Sequence, residues 1–294
     1  GGSSSQVKAF GLLEGGRGLV GAFIATLGVL VFDHFMISTD SQTPDLVDNK
    51  NAFRYVILLS SSIVAIVGLL VWKFMKVDQE IEKSMVMKEI SLKKIKKVLV
   101  LPSIWLLMVI VMCAYVGYKI TDVFSLYALD VMLYDQVESA EIATFLLYLR
   151  PMIAISIAFF AGKWRNTSML VIGFAISFLG SLIFSLGIIS YSKTLLFLCS
   201  IFILAIGVYS LRALYFSIME KGEIPLLLTG TAVGVVSLIG YTPDIFIGPL
   251  MGYFLDEYPG ALGHQCVFAL LAVFSLVGFL AAKKYKALYS NFKN

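Results

Sequence analysis

The stretch VLVLPSIWLLMVIVMCAYVGYKITDVFSLYALDV, residues 98–131, is an apolar run that carries charged side chains well inside it. About 20 apolar residues suffice for a helix to cross a bilayer. Lys119 and Asp122 are three residues apart, which places them on one helical face with Tyr115 one turn earlier. A charge at bilayer depth costs at least ~2.5–3.5 kcal/mol, so such residues face a cavity or a partner. The stretch therefore predicts a membrane helix with one lipid-facing side and one polar side.

The composition extends this prediction to the whole chain. Of the 294 residues, 59% are hydrophobic and 14% are charged, whereas soluble domains are about 25% charged. Apolar runs of spanning length recur throughout, and backbone polar groups in lipid must be satisfied within helices. We therefore predict an all-α integral membrane protein with eight transmembrane helices. The predicted spans are 18–35, 55–74, 98–131, 141–162, 168–190, 194–219, 227–255 and 262–283.

The distribution of Lys and Arg predicts the orientation. Most of these residues fall on one side of the predicted spans, many of them in the segment 73–97, and only Lys50, Arg54 and Lys193 fall on the other. The basic side is expected to be cytoplasmic, with both ends of this chain there, in the inner (plasma) membrane. We interpret the lysines of 73–97 as a solvated positive-inside segment and expect no nucleic-acid partner.

The charged residues within or near the spans are the candidates for chemistry. Arginine grips carboxylate, phosphate or sulfonate in a bidentate fork, which suits an anionic solute. Structural ion pairs that fix packing, Lys119 with Asp122 or Arg212 with Asp244, are the alternative. The candidate solute-binding residues are Lys119, Arg150, Arg212, Tyr115 and Tyr241, and the candidate coupling or gating acids are Asp122 and Asp244. Other tyrosines near these charges are candidate lining residues without an assigned role: Tyr118, Tyr127, Tyr148, Tyr209 and Tyr215.

Enzymatic motifs give little support to a catalytic function. The chain has no GxSxG, HExxH or P-loop pattern, and its Cys and His residues show no metal-ligand spacing. We expect no enzyme activity, no metal and no cofactor.

Several segments resemble the major facilitator superfamily of transporters. They are FGLLEGGRGLVGA (10–22), YKITDVFSLYALDV (118–131), RALYFSIME (212–220), GTAVGVVSLIGYTPDIF (230–246) and GPLMGYFLD (248–256). The resemblance is to members near the organic anion–phosphate antiporters and to uncharacterised bacterial relatives of sugar and sugar-acid carriers. It implies that the spans are helices five to twelve of twelve. Residues 1–75 would hold the last two helices of the N-terminal half, 76–97 the central cytoplasmic loop, and 98–294 the six-helix C-terminal half.

The resemblance also implies a function. It predicts a symporter or antiporter that works by alternating access, with H+ or a counter-anion as coupling partner and a monomer as the full-length unit. The excess of cations within the spans, rather than the resemblance, predicts that the solute is small and anionic. Residues 1–5 would be the loop after helix four, so the chain would be a truncated fragment. A carrier of a neutral sugar or nucleoside, and a non-transporting receptor or scaffold on the same fold, remain as alternatives.

Overall fold

A computed structural model describes residues 3–37, 46–74, 92–160, 165–219, 222, 224–225 and 228–289. The helices are α1 Ser3–Ile37, α2 Leu46–Phe74, α3 Leu92–Leu99, α4 Pro102–Ile120, α5 Phe124–Asp130, α6 Gln136–Phe160, α7 Asn166–Ser185, α8 Thr194–Leu214, α9 Thr229–Gly240, α10 Pro243–Glu257 and α11 Ala261–Tyr289. The structure confirms the all-α membrane architecture, and within these described ranges eight helical segments are long and apolar enough to span a bilayer.

The structure corrects one prediction about the first residues of the chain. Helix α1 begins at Ser3, so Ser3–Ser5, which the resemblance implied to be loop, belong to a helix. Most of the predicted central loop, residues 76–91, lies outside the described residues, but its last residues form α3.

Two of the spanning segments are interrupted. A 3₁₀ turn, Thr121–Val123, joins α4 to α5, and the pair Tyr241–Thr242 separates α9 from α10. Pro243 begins α10, and because a proline has no N–H, the carbonyl of Ile239 loses its regular helical donor there. That carbonyl instead accepts from the N–H of Thr242 at 3.1 Å, in a tighter turn that follows the end of α9 at Gly240. The apolar content that carries the chain across the bilayer is therefore continuous, while the helical hydrogen bonding is not.

The chain forms two compact units. In the smaller, residues 20–92, α1 and α2 contact each other through the stacked rings of Phe35 and Tyr55, whose centroids are 4.0 Å apart. Their remaining apolar side chains are largely exposed, as with Val64 at 72% and Trp72 at 83%. Such surfaces suit contact with the lipid bilayer.

The larger unit comprises residues 1–19 and 93–294, and α4 is its central helix. It packs against α8, α9, α10 and α11, and α11 also packs against α7. One buried apolar cluster surrounds the first half of α4, with Ile104 and Leu107 fully buried. A second surrounds its end and α5, where Phe184 stacks on Phe268 at 4.5 Å. Tyr115, Tyr118 and Lys119, each partly exposed, lie on α4 where the first cluster gives way to the second.

Helices α7 and α11 approach closely at Gly278, where an added Cβ would press against the ring of Phe174. We expect Gly278→Val to lower the apparent melting temperature in detergent, because overpacking a filled site costs about 1–3 kcal/mol. Gly252→Val is the matched control: the same residue is introduced into a helix at a position with no atom within 4 Å of the new Cβ. Equal losses in the two variants would contradict close packing at Gly278.

Candidate functional site

The candidate site forms where helices of the larger unit are interrupted or end. Lys119 is in the last turn of α4, just before the 3₁₀ turn, and Arg212 is in the last turn of α8. Asp244 is in the first turn of α10, directly after the break that follows α9. Arg150 precedes Pro151, whose ring nitrogen cannot donate to the carbonyl of Leu147 within α6. Irregular backbone at membrane depth is tolerated where it is buried in protein or lines an aqueous cavity.

An ion pair joins α4 to α10. The Nζ of Lys119 is 3.3 Å from Oδ1 of Asp244, and both side chains remain partly accessible, at 31% and 50%. The hydroxyl of Tyr115 donates to the same carboxylate, 2.9 Å from Oδ2 and 3.1 Å from Oδ1. Lys119 therefore pairs across helices with Asp244, whereas the sequence suggested Asp122 on its own helix as the structural partner.

Two guanidinium groups lie against one aromatic ring. The Cζ of Arg212 is 3.9 Å, and that of Arg150 4.3 Å, from the ring centroid of Tyr118. Arg150 Nη1 also donates to the Tyr118 hydroxyl, and its guanidinium lies 5.3 Å from the ring centroid of Tyr209. Both Cζ atoms are within 4.3 Å of the same centroid, so they cannot be further apart than twice that distance.

Electrostatics makes this arrangement receptive to anions. At that upper limit of separation, two unit charges repel by about 2 kcal/mol at an effective dielectric constant of about 20. Each cation–π contact at a partly exposed site stabilises the folded state by about 0.5–1 kcal/mol. The two contacts with Tyr118 therefore contribute about 1–2 kcal/mol against a repulsion of at least about 2 kcal/mol, and a bound anion would supply further compensation. Arg150 Nε is buried and makes no hydrogen bond to the described residues, so one donor of that guanidinium is not satisfied there.

The remaining candidates adjoin the same cluster. The ring of Tyr241 meets that of Tyr115 edge-on at 4.7 Å, and its hydroxyl is 3.2 Å from that of Tyr215. Asp122 is exposed, and the charges that act on it are those of Arg150 and Lys119.

All seven site residues chosen from the sequence therefore share one region, although their elements are far apart in the chain. The central position of Tyr118 did not emerge from the sequence. Its spacing from Tyr115 and Asp122 on one helical face was visible, but which tyrosine meets the arginines of α6 and α8 depends on tertiary packing.

A second polar pair was also missed. His264 is fully buried in α11, and its Nε2 is 3.0 Å from Oδ2 of Asp130 at the end of α5. The ring of Tyr127 packs edge-on against the imidazole at 5.2 Å. The sequence placed both residues at the edges of spans, where solvent exposure is the usual expectation. Among the described residues, no group of three or more His, Cys, Asp or Glu side chains is arranged to hold a metal ion.

Comparison with known proteins places the chain among membrane proteins. No protein-family model matches it. The inner membrane protein YqcE of Escherichia coli is 23% identical over 272 residues, which cover 89% of this chain and 61% of YqcE. The inner membrane protein YihN of the same organism is 38% identical over 71 residues, covering 24% of this chain and 17% of YihN. The chain therefore spans less than two thirds of the length of these relatives.

The contacts of Tyr118 predict an order of stability among its variants. Tyr118→Phe keeps the ring face under both guanidiniums but loses the acceptor for Arg150, at a cost of about 1.5–3 kcal/mol for a hydrogen bond to a charged group. Tyr118→Leu loses both and should lower the apparent melting temperature further. Tyr253→Leu, at an exposed site, is the control for removing a tyrosine. Equal losses for Phe and Leu would argue against a role of the ring.

The contact between Asp130 of α5 and His264 of α11 should stabilise the fold, so substituting Asp130 should lower the free energy of unfolding. Asp130→Ala leaves the imidazole of His264 buried without its carboxylate, and unfolding should become easier by about 1–3 kcal/mol. Asp256→Ala, an exposed acid near the end of α10, should change the melting temperature little. If the two variants melt alike, the Asp130–His264 contact does not stabilise the fold.

Proposed function

We propose that the protein is a secondary carrier of the major facilitator type that moves a small anionic solute across the inner membrane by alternating access. The observation that carries the proposal is the meeting of Arg150 and Arg212 on the ring of Tyr118, within helices whose composition suits a bilayer. Intramembrane arginines are costly and belong to substrate or ion pathways more often than to lipid-facing surfaces.

The chemistry of the cluster favours an anion over a neutral solute. Guanidinium groups bind carboxylate, sulfonate or phosphate through paired N–H donors. The tyrosine hydroxyls of Tyr115, Tyr215 and Tyr241 add donors and acceptors that suit a hydroxylated body beside the anionic group. Hydroxyl and guanidinium groups that stand close together, as here, can orient a solute and not merely attract it.

Asp244 and Asp122 are the proposed coupling or gating acids. Asp244 already holds Lys119 and Tyr115, so a change in its ionisation or in its partner would release α10 from α4. Asp122 lies within electrostatic reach of Arg150, so an anion bound there and the charge of Asp122 would influence each other. Proton symport and counter-anion exchange both fit this arrangement, and the full-length carrier is proposed to act as a monomer.

The neutral-solute alternative rests on a specific observation. Lys119 is paired with Asp244, which is what a cation with a purely structural role would do. If the arginines were likewise structural, the tyrosine hydroxyls would be the recognition groups, and a sugar or nucleoside would be the solute. A non-transporting receptor would bind the solute without exchanging it.

Solutes that share a sugar ring and differ in charge distinguish the anion carrier, the neutral carrier and the receptor. Full-length protein in proteoliposomes should exchange glucuronate or glucose 6-phosphate in a counterflow assay, and exchange glucose poorly, because the three share a ring and differ in charge. Equal or better exchange of glucose would favour the neutral carrier. Binding of an anion without counterflow would favour the receptor, and neither binding nor exchange of any of the three would contradict the proposal for this solute class.

If Arg150 and Arg212 bind the anionic solute, substituting either of them should reduce transport. We expect Arg150→Gln and Arg212→Gln each to reduce anion counterflow at least ~100-fold, since losing a desolvated charge-assisted contact costs about 3 kcal/mol or more. Arg54→Gln, at an exposed position of α2, is the control with the same chemical change. Full activity in both site variants would remove the arginines from the binding site.

A further inference from the structure

The short helix α3, Leu92–Leu99, separates its lysines from its apolar residues. At 100° per residue, Lys94, Lys96 and Lys97 lie on one side, while Ile95 and Val98 lie on the other. The three lysines are exposed, and Val98 is fully buried in the core of the larger unit. The sequence alone suggested a solvated loop here, but the structure gives these lysines a fixed backbone and a common side.

Trp105 connects this helix to the first turns of α4. Its side chain is 57% exposed, and its indole N–H donates to the carbonyl of Leu99 at 2.9 Å. Tryptophan concentrates at the membrane–water interface, where the ring contacts acyl chains and the N–H finds a polar partner. Val100, between α3 and Trp105, is 73% exposed. Exposed apolar side chains beside lysines suit the boundary between headgroups and acyl chains.

The end of α11 brings further lysines to the same end of the unit. Tyr285 and Ser103, at the start of α4, both adjoin Gly222: a Cβ there would lie 2.8 Å from the Tyr285 hydroxyl and 3.3 Å from Ser103 Cβ. The Tyr285 hydroxyl also donates to the carbonyl of Ile218 at 2.8 Å. The adjacent Lys283 and Lys284 are exposed. We call Lys94, Lys96, Lys97, Lys283 and Lys284 the basic surface.

We propose that the basic surface binds the anionic phospholipid headgroups of the bilayer in which the protein sits. Lysines just outside a span are attracted to anionic lipid, and the attraction falls off within a Debye length. The exposed Val100 and Trp105 favour this partner over a soluble acidic protein, because a bilayer supplies an apolar phase directly beside its negative charge. The proposal is independent of the solute that the protein carries.

The test compares purified full-length protein in nanodiscs of phosphatidylcholine with and without phosphatidylglycerol. For the wild type, the apparent melting temperature should rise with the phosphatidylglycerol content, and high salt should reduce the rise. The triple variant Lys94→Gln/Lys96→Gln/Lys97→Gln should lose most of it and bind phosphatidylglycerol about tenfold or more weakly. The triple variant with Arg at the same positions keeps the charge and should behave as the wild type.

Three outcomes would overturn the proposal. An equal rise in the Gln variant would show that these lysines are not the lipid contact. If the wild type melts at the same temperature in pure phosphatidylcholine as in nanodiscs with phosphatidylglycerol, headgroup charge is irrelevant. If inorganic phosphate reproduces the rise in phosphatidylcholine, the surface binds a soluble anion. Should the triple Gln variant fail to fold, Lys283→Gln/Lys284→Gln tests the same surface from α11 and should also reduce the rise.

Discussion

Charge inside an apolar helix bundle is the constraint on which the rest of this structure depends. A guanidinium within a bilayer-spanning segment must be offset by aromatic faces, hydrogen-bond acceptors, opposite charge or water, because hydrocarbon offers none of these. Arg150 and Arg212 meet this requirement in part by lying on the ring of Tyr118. These contacts bring α6 and α8 to the end of α4, where the first apolar cluster gives way to the second.

The interruptions of α4–α5 and α9–α10 bring polar groups of the two spans together. A regular helix satisfies its own backbone and presents only side chains, whereas a broken one can aim the polar start of a new helix at its neighbours. Asp244 occupies such a start, and its carboxylate receives Lys119 and Tyr115 from the end of α4. The pair thus ties two interrupted spans together at the point where each has the least helical hydrogen bonding to resist a change of shape.

The sequence predicts the spans well because length and apolar content alone decide them. It also selects candidate residues that the structure brings together, because charges in such segments are rare enough to stand out. It does not predict which groups meet. Lys119 could reach Asp122 on its own helix, yet it pairs with Asp244, which only the packing of α10 against α4 brings near. The burial of His264 is likewise not visible in the sequence. Helix α11 begins at Ala261, and His264, expected at the edge of a span, packs against Tyr127 and Asp130.

The two polar regions of α4–α5 have different physical characters, and the difference bears on their roles. In the contact between Asp130 and His264 the imidazole is fully buried while the carboxylate side chain is 34% accessible, and the contact joins the end of α5 to α11. Lys119 and Asp244 remain partly accessible, so their pairing is open to competition from water and from solute. The first contact holds α5 on α11, and the second can yield more readily because both of its charged groups are accessible. Since both lie on the same spanning segment, a rearrangement at Lys119 would be resisted at Asp130, and the 3₁₀ turn Thr121–Val123 between them is where the difference would be absorbed.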